Sequence, residues 1–369
     1  MSARFQTDYA YVINLIHKID PIKYGKTRNY LDGAVTKLSP YISRGVITTR
    51  QVAKTILSKG YKPYQIEGFL KELAWRDYFQ LVWVDQGDNI NTDLKHKQPD
   101  YTHNRLPTAI SNAETGIDVI DKAINELINT GYIHNHLRMY IAAITCNMAK
   151  SHWLHPARWM HYYLLDADWA SNALSWQWVS GSFSSKKYVA NQENINKYCY
   201  SNQRGTFLDI AYDKFENFAI PEVLKATSYL NLETALPQYN EIIIQPDLPC
   251  YLYNFYNVDC QWDADREANR ILILEPSYFK QYPVCQHTIS FLLELAKNIS
   301  GIQVYVGEFS DLYEKISHMK IHFKEHPTTK HYKGIEHKRK WMFEHVQGYF
   351  PSFFAYWKKC EKQMHLLTE

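Results

Sequence analysis

The sequence is short of several features that would each have pointed to a chemistry. Its six cysteines, Cys146, Cys199, Cys250, Cys260, Cys285 and Cys360, include no C-x-x-C pair. Neither a zinc nor an iron–sulfur spacing is present, their scatter does not resemble a disulfide framework, and no metal site is expected. There is no G-x-G-x-x-G after a strand, no P-loop, no H-E-x-x-H and no G-x-S-x-G, which sets aside the common dinucleotide, nucleotide, zinc-protease and serine-hydrolase motifs. No apolar run approaches the roughly 20 residues needed to span a bilayer. Arg4, Asp8, His17 and Lys18 interrupt the N-terminus before a signal-peptide core can form. A soluble, cytoplasmic protein with no membrane partner is expected. Charge of one sign is also missing: 41 Lys and Arg face 38 Asp and Glu, a formal +3. That balance excludes a polybasic protein, so any nucleic-acid site has to be a local patch.

What is present is bulk and aromaticity. A chain of 369 residues with 46% apolar and 21% charged residues can bury a sizeable core, and the length favours two domains. The 29 Tyr, 16 Phe and 10 Trp, 15% of the chain, supply stacking surfaces as well as core.

The first two thirds read as helices. In residues 118–129, Val119, Ile120, Ala123, Ile124, Leu127 and Ile128 share one 3.6-period face, with Gly131 as a stop. A largely apolar helix follows over 133–150, and His155-Pro156-Ala157 opens another, with Pro where the first turn needs no N–H. Helical patterns also cover about 48–58 and 66–84, and the pattern loosens near 205–240. Beyond 240, short β-rich runs at 241–244, 270–274, 302–306 and 320–323 alternate with helical segments near 286–298, 310–316 and 352–364. The expected fold is mainly α: an all-helical domain over 1–238, then a small α/β domain over 239–369. Residues 318–340 carry His318, His322, His326, His331 and His337 among lysines. With Pro327 breaking any helix, they read as a solvated basic face rather than a metal site.

Polar and aromatic residues stand out on otherwise apolar helices. Glu72, Trp75 and Arg76 fall at i, i+3 and i+4, and Asn135, Arg138 and Met139 repeat that spacing. Asp168 and Asn172 lie four apart, flanked by Asp166, Trp176 and Trp178. Arg76 and Arg138 are natural partners for Asp166 and Asp168, because buried charges rarely survive unpaired. Two nearby indoles could grip a flat, uncharged ring. On spacing alone, interhelical ion pairs and core packing account for the same residues.

These segments resemble the flavin-binding domain of the DNA photolyase/cryptochrome family. The similarity runs in order through YGKTRNY (24–30), TKLSPYISRGVITTRQV (36–52), KELAWRDYF (71–79), TGYIHNHLRM (130–139) and LDADWASNALSWQW (165–178). The resemblance implies bound FAD. Tyr24 and Thr36-Lys37-Leu38-Ser39 would contact its phosphates and ribityl chain. Arg138 and Asp166 would lie against the isoalloxazine, Asp168 would hold its polar edge, Arg76 would pair with Asp166, and Asn172 would face flavin N5. It also implies UV-damaged DNA as partner, with the lesion flipped into a cavity. Trp75 and Trp178 correspond to the indoles that cradle it, and Glu72 to the carboxyl group that hydrogen-bonds the damaged base. Asn135, also beside the cofactor, and Met139 correspond to further cavity residues. Met139 stands where photolyases for (6-4) products carry a histidine, so the cyclobutane pyrimidine dimer is the expected lesion. Trp176 and Trp153 correspond to the inner members of an electron-transfer chain. The outer member falls near Asp100-Tyr101, where Tyr101 is the substitute and Tyr162, Tyr163 or Trp159 are alternatives. DNA phosphates are assigned to Lys37, Arg44, His136, Lys150, Lys186 and Lys187.

The chain also departs from the family pattern. Family photolyases place an α/β antenna domain before the flavin domain, whereas the α/β-like stretch here follows it, either a reordered, reduced counterpart or an unrelated addition. No antenna pigment is assigned. The family's usual Arg beside the cavity is His136, and Val35 opens the usual hydroxyl cluster. The expectation is a monomeric, light-driven DNA lyase using reduced FAD. The competing readings are a photolyase for another lesion or for single-stranded DNA, a cryptochrome-type photoreceptor, and a nucleic-acid-binding relic without flavin.

Overall fold

A computed structural model describes residues 5–216, 218–238 and 241–368. The chain divides into two compact units. One comprises Met1–Gly25, Thr36–Gly87 and Glu233–Glu369, the other Lys26–Val35 and Asp88–Leu232. This division differs from a linear cut at 238/239, since two N-terminal stretches join the C-terminal part. Side chains far apart in sequence account for it. The Asp77 carboxylate accepts from the Met342 N–H at 2.7 Å, Arg339 donates to Gln80 at 2.7 Å, and Arg50 pairs with Glu344.

In the first unit, helices run over Thr49–Leu57 and Glu67–Gln86. Thr48 caps the shorter one by accepting from the Gln51 N–H, and its apolar residues Val52, Ala53, Ile56 and Leu57 are buried. The same unit holds a five-stranded, all-parallel sheet: β1 Cys250–Tyr253, β2 Asn269–Leu274, β3 Ile302–Val306, β4 Ile321–Lys324 and β5 Ile335–His337, in the order β3-β2-β1-β4-β5. Helix Phe309–Ile316 leads from β3 to β4, and its Phe309, Leu312 and Ile316 pack with Cys250, Leu252, Ile271, Ile273, Ile321 and Phe323 on one sheet face.

Three of the expected strands are present and one is not. The run 241–244 is no strand, because Gln303 on β3 bonds both backbone groups of Ile243 through its side-chain amide, at 2.7 and 2.8 Å. The central strand β1 was missed. All four of its residues are buried, so it lacks the polar/apolar alternation that marks a half-buried strand. The reading of 318–340 as a solvated face is corrected at His322 and His326, which are buried. His322 sits in a strand flanked on both sides and lies parallel to the Tyr251 ring at 4.6 Å. The C-terminal helix Phe353–Glu361, in the segment expected near 352–364, buries Phe353, Tyr356, Trp357 and Cys360.

Among the described residues, the regular structure of the second unit is helical apart from a two-residue ladder between Leu106–Pro107 and Thr227–Ser228 and a single bridge between His103 and Ser151. Helix Asp118–Thr130 ends at Gly131, whose φ of 69° is the left-handed stop expected there. Helix Asn135–Ala143 passes into a wider turn over Ile144–Met148, and helices Leu154–Tyr163, Trp169–Ser180 and Gln192–Cys199 follow.

Candidate flavin and nucleic-acid site

In the second unit Arg138 pairs with Asp166, one of the combinations the sequence leaves open; the resemblance instead assigns Asp166 to Arg76. Arg138, on the first turn of its helix, meets both Asp166 oxygens, with Nη1–Oδ1 at 3.3 Å and Nη2–Oδ2 at 3.0 Å. Its Nε donates to the Ile133 carbonyl at 3.2 Å. Asp166 is 4% exposed, so this is a largely desolvated, two-point contact that fixes the guanidinium plane. Asp168 caps helix Trp169–Ser180, its carboxylate accepting from the Ser171 N–H at 3.0 Å at the positive end of the helix. Asn172, buried one turn on, donates from Nδ2 to the Ala157 carbonyl at 2.8 Å and ties two helices together. The four-residue spacing does place Asp168 and Asn172 on one helix face, and both side chains also carry structural bonds.

The expected electron-transfer residues divide into buried and accessible members. Trp176 and Trp153 are buried. Trp153 donates from Nε1 to Asp93 at 2.8 Å. From it, His152 follows at a ring-centroid distance of 5.8 Å, and the half-buried Tyr101 stands edge-on to His152 at 4.9 Å. Sequence reasoning missed His152 and Asp93, whose signal is their contact with Trp153 rather than any local motif. The alternative rings also touch, Trp159 to Tyr163 at 6.1 Å and Tyr163 to Tyr162 at 5.0 Å.

Trp178 is 38% exposed, beside the Tyr188 ring at 5.7 Å. Lys186 is exposed, and Lys187 bonds Asp100 at 2.6 Å, which holds that carboxyl below its usual range. Lys150 lies near enough to Asp100 to lower it further. Two lysines missed from the sequence join this surface: Lys95 lies 4.1 Å over the Phe183 ring and Lys97 6.0 Å over Tyr101. Their interleaving with aromatics was the available signal. Asn135 is exposed and Met139 half-buried. His136 is half-buried. Burial pushes its pKa down to about 4, and the neutral ring stacks on Tyr198 at 4.9 Å.

The remaining predicted residues belong to the first unit. Glu72, Trp75 and Arg76 share a face of helix Glu67–Gln86, all half-buried. One face of Trp75 is covered by Phe353, with centroids 3.8 Å apart and planes 9° from parallel. Tyr24 stands edge-on to Phe69 at 5.2 Å. Thr36 accepts from the Leu38 N–H at 3.3 Å, Lys37 adopts a left-handed φ of 54°, and Ser39 opens a short helix Ser39–Ser43. Arg44 is corrected as a phosphate contact: it is fully buried, its guanidinium 3.5 Å over the Phe255 ring. A cation out of reach of solvent cannot release counterions from DNA.

Residues 69–208 match the FAD binding domain of DNA photolyase. A deoxyribodipyrimidine photo-lyase of Alkalihalophilus pseudofirmus is 32% identical over 148 residues, covering 39% of this chain and 31% of that protein. One of Streptomyces griseus is 29% identical over 166 residues, covering 43% and 36%. Cryptochrome DASH of Danio rerio is 30% identical over 171 residues, covering 43% and 32%. The matches thus span about a third of these relatives' own lengths. The resemblance to the photolyase/cryptochrome family stands, and the relatives fall on both sides of the repair and cryptochrome names. Among the described residues no helix is long and apolar enough to cross a membrane.

Proposed function

We propose that this chain binds FAD and repairs cyclobutane pyrimidine dimers in DNA under blue light. The observation that carries the reading is the Arg138–Asp166 pair, held rigid and largely desolvated inside the segment that matches a photolyase FAD-binding domain. A guanidinium fixed at three points suits a flat, polar-edged ring better than a mobile cation would. Bound FAD supplies, in its reduced form, the photoexcited electron that opens the dimer.

The chain's own residues do the rest. Arg138 and Asp166 orient the ring system, Asp168 and Asn172 present polar atoms to its edge, and Arg76 completes the charge balance. Tyr24, Thr36, Lys37, Leu38, Ser39 and Asn135 hold the remainder of the cofactor. Glu72 hydrogen-bonds the damaged base, an interaction that strengthens as negative charge develops on it. Trp75, Trp178 and Met139 shape the lesion's surroundings. Tyr101, through His152, is the exit from Trp153 towards solvent. Lys150, Lys186 and Lys187 neutralise phosphates, so binding should weaken steeply with salt.

The test is loss of a single cyclobutane thymine dimer from an oligonucleotide, with reduced, FAD-loaded protein in blue light beside a dark control. Repair only in the light supports the reading; none from demonstrably reduced, loaded protein sinks it. One observation favours a photoreceptor instead. Phe353 occupies a face of Trp75 that a lesion base could otherwise use. Light-dependent spectral change without repair would select that reading.

A further inference from the structure

At the carboxyl ends of β1 and β4 the sheet changes its direction of winding, with β2 and β3 on one side and β5 on the other. Open parallel sheets bind ligands outside such strand ends. Asn254 follows β1 directly and His326 lies two residues past β4, in strands paired Leu252 to Phe323. Three side chains here share one arrangement. Asn254 Oδ1 accepts from the Tyr256 N–H at 2.8 Å, Asn257 Oδ1 from Asp259 N–H at 3.4 Å, and His326 Nδ1 from Thr328 N–H at 3.2 Å. Each backbone N–H settles which end of the side chain accepts. The opposite ends, two amide Nδ2 groups and the imidazole Nε2–H, are therefore donors. All three donors are buried without a hydrogen-bond partner, on residues only 6%, 4% and 5% exposed. An unmet buried donor costs as much as the bond it fails to make, and such groups call for an explanation.

The three lie in one neighbourhood. Asn254 and Asn257 exchange backbone hydrogen bonds at 3.1 and 3.0 Å. The Tyr256 ring lies parallel to His326 at 4.2 Å, and Trp83 stands edge-on to both. The Arg44 guanidinium is 5.1 Å from the Tyr256 ring and adds positive potential. The acids beside these residues in sequence are each engaged with a cation, Asp259 with Lys324 at 2.7 Å and Glu325 with Arg339 at 2.9 Å.

We infer that this strand-end cluster is a binding site for a small anion, a halide or a small oxyanion, accepting from Asn254 Nδ2, Asn257 Nδ2 and His326 Nε2 beside Arg44. Three unpartnered side-chain ends offer donors only, which matches an anion. A water molecule would bring two O–H groups of its own that need acceptors. The packed rings of Trp83 and Tyr256 limit the ligand to a few atoms.

The test uses the full chain. Melting is followed in sodium bromide, in sodium phosphate and in sodium gluconate at matched ionic strength, and crystals are soaked in bromide for anomalous diffraction. The expected result is a saturable rise in Tm with one of the two small anions over gluconate. Bromide alone assigns a halide, whose anomalous peak then lies within hydrogen-bond distance of the three nitrogens. Phosphate alone assigns an oxyanion, with tetrahedral density at the same nitrogens after a phosphate soak. Asn257→Leu and His326→Phe should each lose the anion-dependent part of that rise. Equal melting in all three salts, with only water density on these donors, overturns the inference. Should the variants fail to fold, diffraction from the unaltered protein still decides it.

Discussion

Replacing Asp77 by Asn should remove a pH dependence without removing a structural link. Asp77 is buried on helix Glu67–Gln86, accepting from the Thr49 hydroxyl at 2.8 Å and from the Met342 N–H at 2.7 Å. Burial outweighs those bonds and the fields of Arg339 and Arg76, and its pKa is pushed up to about 6. A folded pKa above the unfolded value of about 3.8 means that folding favours the protonated acid. Its contribution is therefore fully present below the unfolded pKa and is lost as pH rises through the folded one. A shift of about two units corresponds to about 3 kcal/mol in total, from below the unfolded pKa to well above the folded one. Asn keeps the shape, accepts from Met342 and donates to Thr49, and never ionises. Urea denaturation followed by fluorescence at pH 4.5, 5.5, 6.5 and 7.5 should show the unaltered protein losing about 2 kcal/mol of stability relative to Asp77→Asn across that range, because part of the loss has already occurred by pH 4.5. At pH 7.5 the variant should equal or exceed it. Asp77→Ala should be less stable than Asp77→Asn by about 2–4 kcal/mol at every pH, because two donors then lack a partner. A gap between the unaltered protein and Asp77→Asn that does not change with pH would refute the reasoning.

Other consequences follow from the second unit. Arg138→Lys cannot make the two-point contact with Asp166, so the flavin-to-protein absorbance ratio should fall clearly after purification; full occupancy would argue against the assigned role. Trp178→Ala should weaken binding of a dimer-containing oligonucleotide by about 1–3 kcal/mol, read as Kd, with flavin content unchanged. Lys186→Ala should lower the slope of log K against log salt by about 0.9 on duplex DNA, and an unchanged slope would place this surface away from the phosphates.

Much of the helical architecture was legible in the sequence. Helices Thr49–Leu57, Glu67–Gln86 and Asp118–Thr130 follow from apolar periodicity, and Gly131 marks a stop that only a local rule is needed to read. That Arg138 and Asp166 need charged partners also followed from a local argument, but not that they meet each other, since Arg76 and Asp168 were equal candidates. The ordered motifs pointed to the family before any coordinates did, because rare tryptophans at set spacings carry much information in few residues. The strand Cys250–Tyr253 gave no period because both of its faces are covered. The covering of Trp75 by Phe353, the burial of Arg44 and the three donors at the strand ends each join residues far apart in the chain.

Sequence alone therefore determined which segments coil and which charges need a partner. Tertiary structure decided which surfaces remain for a ligand. Periodicity and capping act within a few residues, whereas burial is set by whatever distant segment arrives to exclude water.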